Sequence, residues 1–204
     1  KQWVGYKVHV VESVEPEQPA KVKAEPGEHF ITEIVTVEAA ENEKTGLAEA
    51  LKRQQAHHEI KPAAIYADAG YVTEGTLAQA EGNAIELLGP TRPDPHKGPY
   101  NADGFTVDVE NQRAVCPQGK TSTQCSHIKD GYMGSEYYRL EWGSQCDSCP
   151  VQKQCTRAKS GRRILVVGLR HDLVEKRRKE MKQAEFAVSM YPRNGIEGTH
   201  SELV

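Results

Sequence analysis

Residues 63–71 read Ala63-Ala-Ile-Tyr-Ala-Asp68-Ala-Gly-Tyr71, a short apolar run that stops at a carboxylate and turns. A run of that length closed by a turn predicts a short strand over 63–67. Beyond it, Thr73 opens a predicted helix carrying Leu77 and Ala80, and Ile85-Glu-Leu-Leu88 is the next strand. Before it, a helix is expected after Thr45, with Leu47, Ala50, Leu51 and Gln54 on one face. Two strands precede that helix. Residues 3–11 alternate, with Val4, Tyr6, Val8 and Val10 on one side, and residues 29–38 are rich enough in β-branched side chains to predict a central strand. Pro16, Pro19 and Pro26 among charges predict a hairpin-type connection between them. The order β-β-α-β-α-β predicts an α/β sheet in which the strand ending at Asp68 is covered by helices.

The texture changes after Leu88. Gly89 to Pro99 holds four prolines and two glycines, which breaks the periodicity. Phe105-Val107-Val109 then alternate, as do Tyr138-Leu140-Trp142, and Ile164-Leu-Val-Val167 is a last strand. The expected division is a first core segment over 1–90, a β-rich, cysteine-bearing insertion over 91–168, and a helical return over 169–204. The helix of that return is expected from Asp172 to Met190, ended by Pro192 and Gly195.

Composition narrows the classes. The chain has 204 residues, 37% hydrophobic and 27% charged, too apolar for the signature of disorder. No apolar run approaches the roughly 20 residues that span a bilayer, so a membrane protein is excluded. The net charge of −3 hides an asymmetry: from Thr156 to Gln183 there are ten basic residues and three acidic ones. A basic segment on an acidic body can bind phosphate locally, although a solvated helix face is the plainer reading.

Five cysteines without a secretory leader point away from a disulfide framework and toward a metal site. Cys146-Asp-Ser-Cys149 is a C-x-x-C pair, Cys155 follows, and Cys116 lies upstream at the end of a hairpin. Zinc takes four soft ligands, often as a knuckle plus ligands from elsewhere. The expected set is Cys116, Cys146, Cys149 and Cys155, with Cys125 an ordinary thiol. The same four thiolates would serve an iron–sulfur cluster, and half-buried reduced thiols are the bland alternative. Among the carboxylates, Asp68 ends a strand where α/β sheets place ligands, against the commoner role of a turn or cap. Glu197, between Gly195 and Gly198, reads alone as a surface residue. Lys7 and His9 share a strand face that would suit a phosphate, or form a plain edge.

These stretches occur in a fixed order: Trp3-Val-Gly-Tyr-Lys-Val-His9, Tyr66-Ala-Asp-Ala-Gly-Tyr71, Cys116-Pro-Gln-Gly119, Cys146-x-x-Cys149-Pro150-x4-Cys155-Thr156 and Arg193-Asn-Gly-Ile-Glu-Gly-Thr199. Together they resemble the DDE transposases of bacterial insertion sequences, in the branch whose ribonuclease-H-like core is interrupted by a β-rich, cysteine-bearing insertion. The resemblance implies a mixed sheet with helices and three carboxylates holding two Mg²⁺ (or Mn²⁺) ions. Asp68 is similar to the second carboxylate and Glu197 to the third, while Arg193 resembles the family's arginine that contacts DNA phosphate. Lys7, Arg177 and Arg178 are further expected DNA contacts. The resemblance also implies double-stranded DNA partners (element ends and target), a homo-oligomer in the synaptic assembly and a bacterial cytoplasmic setting. The cysteine site would then be separate from the carboxylates, since hard ions select oxygen ligands.

Three departures accompany it. The first-strand Asp of the family would lie before Lys1. Tyr191 and Arg193 are separated by one residue where the family usually has two, and the basic residue that often follows the Glu would fall at or past Val204. The expectation is part of a strand-cleaving and strand-joining enzyme, inactive alone. The alternatives are a non-catalytic, metal-stapled DNA-binding or interaction module and a nuclease of the same core fold.

Overall fold

A computed structural model of the chain describes residues 5–14, 30–94, 98–131, 136–193 and 196. It divides into two units, Lys1–Arg92 with Arg178–Val204, and Pro93–Arg177. The sequence-based division placed these limits at 90 and 168. The second lies later because the first turns of a helix, α4 (His171–Glu180), belong with the insertion: the Val107 amide donates to the Glu175 carboxylate at 3.3 Å.

In the first unit, β1 (Tyr6–Glu12) pairs antiparallel with β2 (Ile31–Glu38), His9 standing opposite Val35. α1 (Glu43–His58) follows, its first turn capped by the Asn42 side chain accepting from the Lys44 amide. β3 (Ala64–Tyr66) pairs in parallel with β4 (Glu86–Leu88) across the crossover helix α2 (Glu74–Gly82). A reciprocal capping box between Thr73 and Thr76 starts α2, satisfying amides that a helix end leaves without partners. The expected β-β-α-β-α-β order is present, as an α/β arrangement of helices and small sheets.

Two expectations about faces change. The side of β1 carrying Tyr6 and Val8 is exposed, whereas His9 is buried together with Val35. The reason is α1, which buries Gly46, Ala50 and Gln54. Gly46 lies against the imidazole so closely that an added Cβ would come within 2.3 Å of His9 Nε2. A polar ring thus takes the inner position because a glycine leaves room for it. Likewise β2 is not a doubly covered central strand: its one partner among the described strands is β1, and Ile31 and Ile34 stay exposed. Leu47 and Leu51 of α1 line a small cavity with Ile65, Ile85 and Leu87.

In the second unit, β5 (Thr106–Asp108) and β6 (Arg113–Val115) form a hairpin, and β7 (Gln124–Lys129), β8 (Glu136–Glu141) and β9 (Ile164–Gly168) form an antiparallel sheet. Phe105, Ala114, Leu140, Trp142, Leu165 and Val167 make its core. Arg163 lies over the Phe105 ring at 5.1 Å, the geometry of a cation–π contact.

The expected single helix from Asp172 to Met190 is two. α4 ends at Glu180, a turn over 181–183 follows, and α5 (Ala184–Ser189) restarts. The restart is set by extended Gln183, whose amide reaches back to the Glu180 carbonyl at 2.9 Å. Among the described residues no helix is long and apolar enough to cross a membrane.

Candidate active site

Asp68 sits two residues past β3. Ala67 still pairs, its amide donating to the Leu88 carbonyl at 2.8 Å, and the chain then turns so that the Tyr71 amide reaches the Asp68 carbonyl at 2.9 Å. This geometry leaves the Asp68 side chain 66% exposed at the carboxyl end of the parallel pair. Arg193, 125 positions later, forms an ion pair and hydrogen bond with that carboxylate. The turn after α5 therefore brings the two motifs together within the first unit.

A second group of charges stands beside the same turn. Glu43 pairs with Lys7 at 3.8 Å and with Arg92 at 3.6 Å. Glu43 and Arg92 both come within 3.4 Å of where a Cβ on Gly70 would stand. A hydrogen bond from its own backbone amide holds the Glu43 carboxyl below its usual range; burial opposes this, and Lys7, Arg92 and His9 add to the lowering. Lys7 also donates to the Glu41 carbonyl, so its ammonium is engaged at this site.

Tyr71 links the turn to β1. Its hydroxyl and His9 Nδ1 are 2.6 Å apart, and the rings meet edge to face. Burial pushes the Tyr71 hydroxyl up, reinforced by Glu43 and Asp68. Burial likewise lowers the His9 pKa, Lys7 lowers it further, and Glu43 partly offsets them. The folded protein thus holds His9 neutral where the unfolded chain, near 6.5, begins to protonate. The sign follows: the unfolded state binds more protons between the two values, so stability is full above about pH 6.5 and falls as pH drops through that window. Thermal midpoints measured across this range should decline toward acid, and His9→Gln should flatten that decline. An unchanged slope would remove His9 as its source.

Of the expected site residues, Asp68, Arg193 and Lys7 lie in this unit with the contacts above. Glu197 lies outside the described residues. Arg178 is half-buried and Arg177 is buried, so of these two expected DNA contacts Arg178 is the more open to solvent. Lys176 and Lys179 are the exposed cations of α4. Glu43, Arg92 and the His9–Tyr71 pair were not assigned to the Asp68 site from sequence. Tyr71 and His9 stand inside the quoted motifs, whereas Glu43 follows a helix cap and carries no signal of its own.

In the second unit, Cys116, Cys146, Cys149 and Cys155 all line one cavity, which Cys125 does not reach. Burial pushes the Cys155 thiol up, Arg163 opposes this, and Cys146, Cys116 and Cys149 add to it in that order. As they stand, no three His, Cys, Asp or Glu side chains among the described residues are gathered so as to hold a metal ion.

Residues 115–204 match the family model described as Transposase DDE domain. No curated protein and no solved structure matches the chain. Over residues 115–204, which hold the cysteine motifs and the Arg193 motif, this chain is similar to the DDE transposases.

Proposed function

We propose that this chain carries part of the active centre of a DDE transposase, which cleaves and joins DNA strands at the ends of its element, on a ribonuclease-H-like core. The observation that carries this reading is the pairing of Asp68 with Arg193, which unites a strand-end carboxylate with the arginine of a motif inside the matched span. Asp68 suits a divalent ion by its chemistry, as an exposed hard-oxygen donor at a strand end. The described residues do not complete such a site, and Glu197 is the proposed further ligand. Two Mg²⁺ or Mn²⁺ ions, when bound, supply activation of the attacking oxygen and neutralisation of the leaving one.

The chain's own residues do the rest. Arg193, half-buried and four positions before Glu197, offers a rigid planar donor set that matches a phosphate oxygen pair. Glu43 holds Lys7 and Arg92 beside Gly70, which keeps two cations within the first unit for a polyanionic strand. His9 fixes the Tyr71 hydroxyl and so the turn that presents Asp68. The DNA is double-stranded, and synapsis of two ends requires more than one copy of the enzyme.

The test is a cleavage and joining assay of the complete transposase on DNA bearing its element ends, with Mg²⁺ present or chelated. Glu197→Gln should abolish nicking while end binding persists. DNA binding indifferent to Mg²⁺, with no nicking with or without the ion, would replace this reading with a non-catalytic DNA-binding module, and nicking undiminished by Glu197→Gln would remove Glu197 as a ligand. Cutting without joining of pre-nicked ends would make it a nuclease.

A further inference from the structure

The insertion contains a chemistry that strand transfer does not use. Its four cavity-lining cysteines come from separate short elements. Cys116 opens a tight turn in which the Gly119 amide donates to its carbonyl at 2.8 Å, with Gly119 at φ +74°. Cys146 and Cys149 close a second turn, the Cys149 amide donating to the Cys146 carbonyl at 3.1 Å. Cys155 ends the one-turn helix α3 (Gln152–Cys155). Spacing along the sequence thus becomes convergence on one cavity, and the fifth cysteine is left out. Cys125 stands on β7 opposite Leu140.

Arg163 supplies an independent observation. It lines the same cavity, and one of its guanidinium donors binds the Cys155 carbonyl at 3.2 Å. Its Nε is buried without a hydrogen-bond partner. A buried guanidinium N–H facing neutral surroundings is unfavourable. Thiolates would supply the missing negative charge, but four thiolates together are tolerable only around a cation. A divalent ion with four thiolates carries a residual charge of −2, which a neighbouring guanidinium partly offsets.

We propose that Cys116, Cys146, Cys149 and Cys155 bind a single tetrahedral zinc ion that closes the insertion, with Arg163 balancing part of its surplus negative charge. The sulfurs must draw inward, since zinc–sulfur bonds are about 2.3 Å. All four sit in turns, a single 3₁₀ turn or a one-turn helix, so that movement breaks none of the described strand pairings. Binding displaces the thiol protons to solvent, and its free energy adds directly to that of folding. Zinc would brace a small apolar core of six buried side chains, against which three of the four cysteines, Cys116, Cys146 and Cys155, already pack. The role is structural and independent of the carboxylate chemistry.

The experiment is elemental analysis of the purified 204-residue chain after desalting, expected to give one zinc per chain. Cys149→Ser and Cys155→Ser should each lose the metal, whereas Cys125→Ser keeps it. Should the serine variants fail to fold, the unmutated chain still decides. Cobalt(II) substitution should give the visible bands of a tetrahedral tetrathiolate, and a mercurial titration should release zinc as four thiols react. Iron with inorganic sulfide, no metal after zinc is supplied, or metal lost equally from Cys125→Ser would each overturn the proposal. None of these outcomes depends on whether the protein cleaves DNA.

Discussion

Asp68→Asn in the complete transposase is expected to lower strand cleavage by about a thousandfold or more while leaving the fold and end binding in place. The two effects separate by magnitude. The Asp68 carboxylate is 66% exposed, and an exposed ion pair such as that with Arg193 contributes roughly 0–1 kcal/mol. Loss of an anionic oxygen ligand removes several kcal/mol of transition-state charge stabilisation, and each ~1.4 kcal/mol is tenfold in rate. Asn keeps the shape and one carbonyl oxygen, so Arg193 retains an acceptor. The measurement pairs cleavage rates on end-bearing DNA with thermal unfolding midpoints of the same variant. Cleavage within tenfold of the parent would remove Asp68 from the reacting centre. A lost rate accompanied by a collapsed midpoint would assign it to folding instead.

Trp142→Ala is expected to cost the insertion about 3–5 kcal/mol, the range for deleting a fully buried large aromatic side chain. Trp142 is 1% exposed and meets the Phe105 ring edge to face at 5.2 Å. Its indole donates to the Lys120 carbonyl at 2.7 Å, the same carbonyl that receives the Cys116 amide at 2.9 Å. Truncation therefore opens a void and weakens the turn that presents Cys116. Against a typical domain stability of about 5–15 kcal/mol, that loss is a large fraction. Urea unfolding should show a lowered midpoint, and Trp142→Phe should recover most of it, short of roughly 1 kcal/mol for the absent hydrogen bond. A midpoint unmoved by Trp142→Ala would mean that this core does not carry the unit's stability.

The sequence was most legible where local chemistry left no choice. The run ending at Asp68 has the length of a strand and the turn that stops one, and the structure pairs it as read. The cysteine spacings likewise separated Cys125 from the other four. It was least legible where a distant residue decided the outcome. The alternation of β1 was correct, but its inner face was set by Gly46, 37 positions after His9, and by the Tyr71 hydroxyl. Period-2 patterning shows that two faces differ, not which one a helix will cover. β7 was missed because Gln124, Ser126 and His127 carry little strand signal; its ladder comes from pairing with β8. The break between α4 and α5 lies in a stretch of good helix formers, so propensity gave no warning.

The contact between Arg193 and Asp68 also bears on the order in which the chain folds. It closes a loop of 125 positions, and closure entropy rises by about 0.6 kcal/mol with each doubling of a flexible loop. The hairpin and meander of Pro93–Arg177 are built mostly from neighbours in sequence, which form quickly. Once collapsed, that unit replaces a long flexible linker by an ordered one, so fewer freely jointed residues remain in the loop that the Asp68–Arg193 contact must close. The local order of one unit thus bears on the cost of closing a long-range contact in the other.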